Sequence, residues 1–269
     1  MVGKLFKHEC ISYCRTAVPI CSLLLIISIF GRILQMFEND TVVYDIISGI
    51  TYGSFFIFCF ASVFAVLVFG VVRFYKHLFT AEGYLTFTLP VTVNQHIFIK
   101  LITYLLFQTI SFITIIISVG FMFRFEFLVE IVKAINYLLY QIPDMNFIHI
   151  VLYTLGILLL SLFSFSNTIL LYYCCISIGQ TAKKHRVGFS VGVYFIYTII
   201  VQTISSVISV VAGVLLADYD ITPIIEYIKN NLISFIHIVM WSLVLFSMLY
   251  SLIGFLIVRY ILVKKLNLE

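Results

Sequence analysis

The chain has 269 residues, of which 62% are hydrophobic and only 10% are charged, and its mean hydropathy is +1.15. Soluble domains carry roughly 25% charged residues, so this composition excludes a soluble protein and indicates an integral membrane protein. The formal net charge of +4 is too small to indicate nucleic acid as a partner.

Residues 3–16 combine apolar and basic side chains in a pattern that predicts an interfacial helix lying on the membrane. One broad face would hold Leu5, Phe6, Cys10, Ile11, Tyr13 and Cys14, and the opposite face would hold Lys4, Lys7, His8 and Arg15. Pro19 marks the expected bend into the first span. No small-x-small cleavage site follows the apolar run, so we expect the first span to be retained.

Six apolar runs reach the length of about 20 residues that a helix needs to cross a bilayer. They cover roughly 17–36, 46–72, 95–123, 147–177, 188–216 and 233–260. The sequence therefore predicts an all-α, polytopic membrane protein with residues 1–269 in one transmembrane domain. Residues 124–142 predict an external amphipathic helix, or a continuation of the third span along the surface. Residues 222–231 predict a short external helix that starts at Thr222 and Pro223.

Lys and Arg residues are distributed unevenly between the two sides of these spans. One side holds Lys4, Lys7, Arg15, Arg73, Lys76, Lys100, Lys183, Lys184, Arg186, Arg259, Lys264 and Lys265, and the other side holds Arg124, Lys133 and Lys229. Because basic loops stay in the cytoplasm, this bias predicts a multi-pass protein of the cell membrane with both termini cytoplasmic.

Residues 73–90, between the second and third spans, form the longest segment in which polar residues interrupt apolar runs. Residues 75–81 have the potential for a short helix, and Gly83 is placed to end it with a positive φ. Thr92 and Gln95 form a T-x-x-Q capping box that predicts the start of the next helix. A short helix, a turn and a capped restart fit a docking element, although a plain connecting loop is the alternative.

The stretch FYKHLFTAEGYLTFTLPVTVNQHIFIK (74–100) resembles the segment after the second span in small permease subunits of bacterial type-2 ABC transporters. Two less specific stretches are in the same order as in that family: ISIGQTAKKHRVG (176–188) and YILVKKLNLE (260–269). The apolar spans between them match only in pattern. The resemblance implies a type of transport machine and no particular substrate.

This resemblance implies an exporter in which two six-span subunits pair and a separate cytoplasmic ABC ATPase binds and hydrolyses ATP. It further implies a cytoplasmic coupling helix within 73–92 that docks on the ATPase, flanked by the N-terminal helix. The docking residues would be Tyr75, Lys76, Leu78, Phe79, Glu82, Gly83 and Tyr84. The second cytoplasmic loop would contribute Gln180, Lys183 and Lys184.

Enzyme signatures are absent from the sequence. There is no G-x-x-x-x-G-K-[ST] phosphate loop, no H-E-x-x-H and no G-x-S-x-G, so we expect this chain to bind no cofactor and to be no enzyme itself. None of the six histidines has a carboxylate or a second histidine at metal-ligand spacing. The six cysteines lie in or beside apolar runs and are expected to remain free thiols.

Apart from Lys100 and Arg259, which are counted with the cytoplasmic side, Arg32 is the only charged residue within the predicted spans. Snorkelling to the headgroups is the default interpretation of Arg32, and binding of an anionic group is the alternative. Uncharged polar residues recur in mid-span, among them Gln108, Asn167 and Gln202. Such residues either bridge helices or line a transport path.

Besides the exporter, two other classes of protein remain open. One is a membrane scaffold or sensor that binds a partner through these loops. The other is a lipid-modifying enzyme, which the missing catalytic clusters disfavour.

Overall fold

The computed structural model describes residues 2–37, 41–80, 82–83, 91–140, 146–182, 184–217 and 222–264. These residues form helices and contain no strand. The helices are α1 (Val2–Leu34), α2 (Val42–Phe79), α3 (Val93–Tyr140), α4 (Phe147–Gly179), α5 (Arg186–Ala217), α6 (Thr222–Asn230) and α7 (Leu232–Lys264), and a 3₁₀ turn (Gln35–Phe37) follows α1. All except α6 are long and apolar enough to cross a membrane. The predicted all-α fold with six membrane-spanning helices is thus confirmed.

The chain packs into two compact units, residues 1–139 and residues 140–269. In the first unit, Leu24 of α1, Phe55 of α2 and Met122 of α3 are completely buried against one another. Tyr13 of α1 packs between Phe69 and Phe107, with ring centroids 4.8 and 5.2 Å away. Aromatic rings therefore fill much of the space between these three helices.

Helix α1 continues without interruption through Pro19, so residues 3–16 do not form a helix separate from the first span. Its buried side chains include Glu9, Tyr13 and Ala17, which lie one turn apart on a single face. Ile11 is 53% exposed and Cys14 is also exposed. The predicted apolar face of residues 3–16 was therefore only partly right, because the face that packs is centred on an acidic residue.

The capping box predicted for the start of the third span is present in α3. The backbone N–H of Thr92 donates to Gln95 Oε1 at 3.0 Å, and the N–H of Gln95 donates to Thr92 Oγ1 at 3.4 Å, which confirms the capping box. At the other end, Arg124 has non-helical angles, φ 66° and ψ 140°. This break follows the predicted end of the span at residue 123, and the helix then continues to Tyr140.

In the second unit α4 packs along α7 and α5. Hydrogen bonds join Tyr153 to the carbonyl of Ile233, Asn167 to that of Ser247 and Cys174 to that of Gly254. The offset is 80 residues in all three cases, so α4 and α7 run parallel. Close to the end of α4, Gly179 approaches Ser190 of α5, and a Cβ on this glycine would lie 2.7 Å from the Ser190 Cα.

Candidate functional site: a buried ionic cluster

Glu9 is the centre of an ionic cluster that joins the three helices of the first unit. Its side chain is 2% exposed. It accepts a hydrogen bond from Arg73 Nε of α2 and another from Lys100 Nζ of α3, the latter at 3.0 Å. His77 Nδ1, one turn after Arg73, lies 3.4 Å from Glu9 Oε1. A single carboxylate of α1 therefore holds cationic or polar partners from both neighbouring helices.

The Arg73 side chain contacts three residues. Besides Glu9 it donates from Nη1 to the hydroxyl of Ser12, and its guanidinium carbon lies 5.8 Å from the ring centroid of Phe69. The remaining nitrogen, Nη2, is buried and has no hydrogen-bond partner in the part of the chain that the structure describes. These contacts fix the orientation of the side chain, because a guanidinium offers its donors in a rigid plane.

The charges in this cluster do not cancel. Arg73 and Lys100, 10% and 5% exposed, face the single carboxylate of Glu9, so the net charge is +1 when both are protonated and His77 is neutral. A buried ion pair contributes little net stability, but removal of one partner typically costs about 3–5 kcal/mol because it leaves an uncompensated charge. Both cations therefore depend on Glu9, the only carboxylate that contacts them within the cluster.

A second ionic contact leads from the cluster to the surface. His77 Nε2 lies 3.6 Å from Glu82 Oε2, and the Glu82 side chain is 61% exposed. The imidazole of His77 thus stands between a buried carboxylate on one side and an exposed one on the other. Through it, the segment that follows α2 is connected to the side chains that bind α1 and α3.

The structure corrects part of the predicted docking segment. Tyr75, Lys76, Leu78 and Phe79 form the last turns of α2 itself, which ends at Phe79 with Thr80 in an extended conformation. Leu78 is 1% exposed, so it packs inside the first unit and offers no surface to a partner. This corrects its assignment as a docking residue.

The expectation for Gly83 is also wrong. Gly83 is buried and helical, its N–H donates to the Thr80 carbonyl at 2.7 Å, and no glycine in the described ranges has a positive φ. Lys76 and Glu82 are exposed, whereas Tyr75 and Phe79 are half-buried with their rings stacked 6.5 Å apart. Tyr84 lies outside the described residues.

The other predicted site residues are not gathered in one place. Gln108 is enclosed in the first unit, with 1% exposure, whereas Gln202 lies on the exposed surface of α5. Asn167 borders an open groove of about 580 Å³ within the second unit. In the second loop, Gln180 caps α4 through an N–H bond to the Ile176 carbonyl and Lys184 is exposed, while Lys183 lies outside the described residues.

Arg32 takes part in a second polar network, formed around Gln35. Its Nη1 donates to Gln35 Oε1 at 3.3 Å. Gln35 Nε2 in turn donates to the hydroxyl of Tyr52 at 3.1 Å and to the carbonyl of Met122 at 2.7 Å. Arg32 is therefore half-buried and hydrogen-bonded within the protein, a contact that neither interpretation of this residue included.

The ionic cluster was not predicted from the sequence. Lys100 was counted only as a charge on the cytoplasmic side, and Glu9 was given no role. The sequence did contain a signal for the helix faces involved. One-turn spacing places Glu9, Tyr13 and Ala17 on one face of α1, and it places Arg73 and His77 on one face of α2. Spacing within one helix gives its faces, but it does not identify the helix that packs there.

Two histidines that are distant in the sequence are also paired. In the second unit His149 Nδ1 and His237 Nε2 lie 2.8 Å apart, and the ring of Tyr153 stacks on His237 at 4.6 Å. This contact joins the beginnings of α4 and α7. In the described ranges no three His, Cys, Asp or Glu side chains come together in a way that could hold a metal ion.

No protein-family model, no curated protein and no solved structure matches this chain.

Proposed function

We propose that this chain is the membrane subunit of an exporter that is driven by a separate cytoplasmic ABC ATPase. The observation that supports this proposal best is the position of the ionic cluster. It joins α1, α2 and α3 at the point where α2 leads into the segment that resembles an ATPase-docking element. The lack of a phosphate-binding loop and the six membrane-capable helices are consistent with such a subunit.

The geometry supports a mechanical role for the cluster. A force applied by an ATPase near Glu82 would reach His77 and Arg73 on the last turns of α2. Both contact Glu9 of α1, which also binds Lys100 of α3. Buried, charge-assisted hydrogen bonds are short and directional, so they transmit a displacement better than exposed ion pairs, whose strength is about 0–1 kcal/mol. The three helices would then move together.

The surface available to an ATPase is smaller than the sequence implied. Lys76 and Glu82 are exposed and offer charges of opposite sign, and the half-buried rings of Tyr75 and Phe79 add apolar area beside them. We propose that these four residues, with Tyr84, contact the ATPase, and that a second permease subunit completes the transport path. ATP binds to the ATPase and not to this chain.

Co-expression with a candidate cytoplasmic ABC ATPase from the same genome tests the proposal. The tagged chain is purified in detergent, and the amount of ATPase retained is compared for the wild type and the double variant Phe79→Ala/Tyr84→Ala. Interface anchors each contribute about 2 kcal/mol or more, so we expect the double variant to lose most of the ATPase. The variant Phe127→Ala/Tyr137→Ala, which removes two exposed aromatic rings of α3 beyond Arg124, is the control and should retain it. Equal retention by all three chains would contradict the docking assignment.

A further inference from the structure

The C-terminal ends of α4 and α7 form an open groove of about 730 Å³ within the second unit, a volume typical of small-molecule sites. Its apolar part consists of Ile178 from α4 and Ile253, Leu256 and Ile257 from α7. Helical spacing places Ile253, Leu256 and Ile257 on one side of α7. These side chains give the groove a continuous hydrocarbon surface.

Basic side chains lie at the end of this apolar surface. Arg259 and Lys264 line the groove together with Tyr260, and Lys264 Nζ lies 5.3 Å from the ring centroid of Tyr260. Among the described residues, no acidic side chain lines the groove and neither cation has an ion-pair partner. The groove therefore combines apolar walls with two positive charges.

The position of the groove along α7 matches the depth profile of a lipid. A helix rises 1.5 Å per residue, so about 20 residues cross the hydrocarbon core. Counted from Leu232, where α7 begins, Ile253–Ile257 lie about one hydrocarbon thickness away. Arg259 and Lys264 follow within the next two turns, at the level of the headgroups. The bias of Lys and Arg assigns this end to the cytoplasmic leaflet, which contains anionic lipids.

We propose that this groove binds a phospholipid with an anionic headgroup. One acyl chain lies against Ile178, Ile253 and Ile257, and the phosphate lies between Arg259 and Lys264. Basic pockets at the cytoplasmic ends of membrane helices are suited to such headgroups, and each cation near the phosphate contributes a factor of about five to binding. This inference does not depend on the transport function, because it uses only residues of α4 and α7.

Lipid selectivity measured by electron paramagnetic resonance tests the proposal. The full chain is reconstituted in phosphatidylcholine vesicles with a trace of spin-labelled phosphatidylglycerol or spin-labelled phosphatidylcholine, and the motionally restricted fraction gives the relative affinity. The wild type should prefer phosphatidylglycerol. The variant Arg259→Gln/Lys264→Gln should lose most of this preference, by roughly 25-fold at the site. The control Lys4→Gln/Lys7→Gln removes two exposed cations from the same predicted side and should keep it.

A second variant separates a lipid groove from a simple charged surface. Ile253→Trp/Ile257→Trp fills the apolar part without a change of charge, and both positions are exposed, at 54% and 40%, so the fold should tolerate it. We expect this variant to lower the preference about as much as the loss of both cations. Three results would overturn the proposal: an unchanged preference in Arg259→Gln/Lys264→Gln, an equal loss in the Lys4/Lys7 control, or an unchanged preference in the filled groove.

Discussion

Glu9 and Lys100 are 91 residues apart in the sequence, and their side chains meet inside the first unit with Lys100 Nζ 3.0 Å from Glu9 Oε1. The same carboxylate accepts a bond from Arg73, so one acidic side chain compensates two buried cations. Two buried cations around one carboxylate make that carboxylate important for stability, because its loss leaves both of them buried without a counter-charge.

Replacement of Glu9 should therefore destabilise the protein far more than replacement of Glu82. Glu9→Gln leaves the charges of Arg73 and Lys100 without a counter-charge and should lower the free energy of unfolding by about 3–5 kcal/mol. Glu82→Gln removes the same charge at a position that is 61% exposed, where an ion pair contributes about 0–1 kcal/mol. Denaturation of the purified chain in detergent, followed by circular dichroism, measures both. Similar losses for the two variants would show that the cluster is not closed to water.

The network around Gln35 gives a prediction for Arg32. Gln35→Leu removes the hydrogen-bond acceptor for Arg32 and the donor to the Tyr52 hydroxyl and the Met122 carbonyl. We expect it to lower the free energy of unfolding by about 1–3 kcal/mol. Arg32→Lys keeps the positive charge and leaves the two bonds from Gln35 Nε2 intact, so membrane insertion and stability should be nearly unchanged. Thermal melting of both variants provides the comparison. A larger loss of thermal stability for Arg32→Lys than for Gln35→Leu would contradict this prediction, whereas a strong loss of activity in Arg32→Lys with normal membrane insertion would support the anion-binding interpretation, since lysine lacks the planar fork.

The close approach of α4 and α5 gives a prediction for two glycines. A Cβ at Gly179 would lie 2.7 Å from the backbone Cα of Ser190, so Gly179→Ala must push the two helices apart and should cost about 1–3 kcal/mol. Gly192→Ala on α5 is the matched control, because nothing lies within 4 Å of its Cβ position. The same denaturation assay distinguishes them. If Gly179→Ala were as harmless as Gly192→Ala, the packing of α4 on α5 would be looser than described here.

The orientation of the six spans is open to a labelling test. Single cysteines at Lys133 and Lys184, both exposed, are introduced into a chain whose six native cysteines have been replaced. A membrane-impermeant thiol reagent added to intact cells should label position 133 at once and position 184 only after permeabilisation. Labelling of position 184 in intact cells would invert the topology and place the ionic cluster away from any cytoplasmic ATPase.

The features that the sequence predicted correctly are local ones. Six apolar runs of sufficient length gave the spans, and the reciprocal capping of Thr92 and Gln95 depends on residues three apart. The predicted end of the third span at residue 123 lies next to the break at Arg124, and the predicted short helix begins at Thr222 as α6. For membrane helices, length and caps are therefore predictable from a single sequence.

Contacts between distant helices escaped prediction because they depend on how each helix is rotated. Whether Leu78 or Phe79 faces the interior of the first unit differs by about 100° around α2, which composition does not determine. The pairs Glu9–Lys100 and His149–His237 are each formed across roughly a third of the chain. Polar residues in apolar helices indicated that partners must exist, but only the packed structure shows which they are.

The central claim is that the ionic cluster couples the ATPase to the membrane helices, and ATP hydrolysis by the reconstituted complex tests it most directly. The variant Glu9→Gln/Lys100→Met removes one negative and one positive charge, so the net charge of the cluster stays at +1 and stability should exceed that of Glu9→Gln alone. We predict that this variant still co-purifies with the ATPase but hydrolyses ATP at least about ten-fold more slowly than the wild-type complex, a barrier difference of about 1.4 kcal/mol. Wild-type hydrolysis by a stably folded double variant would contradict the account.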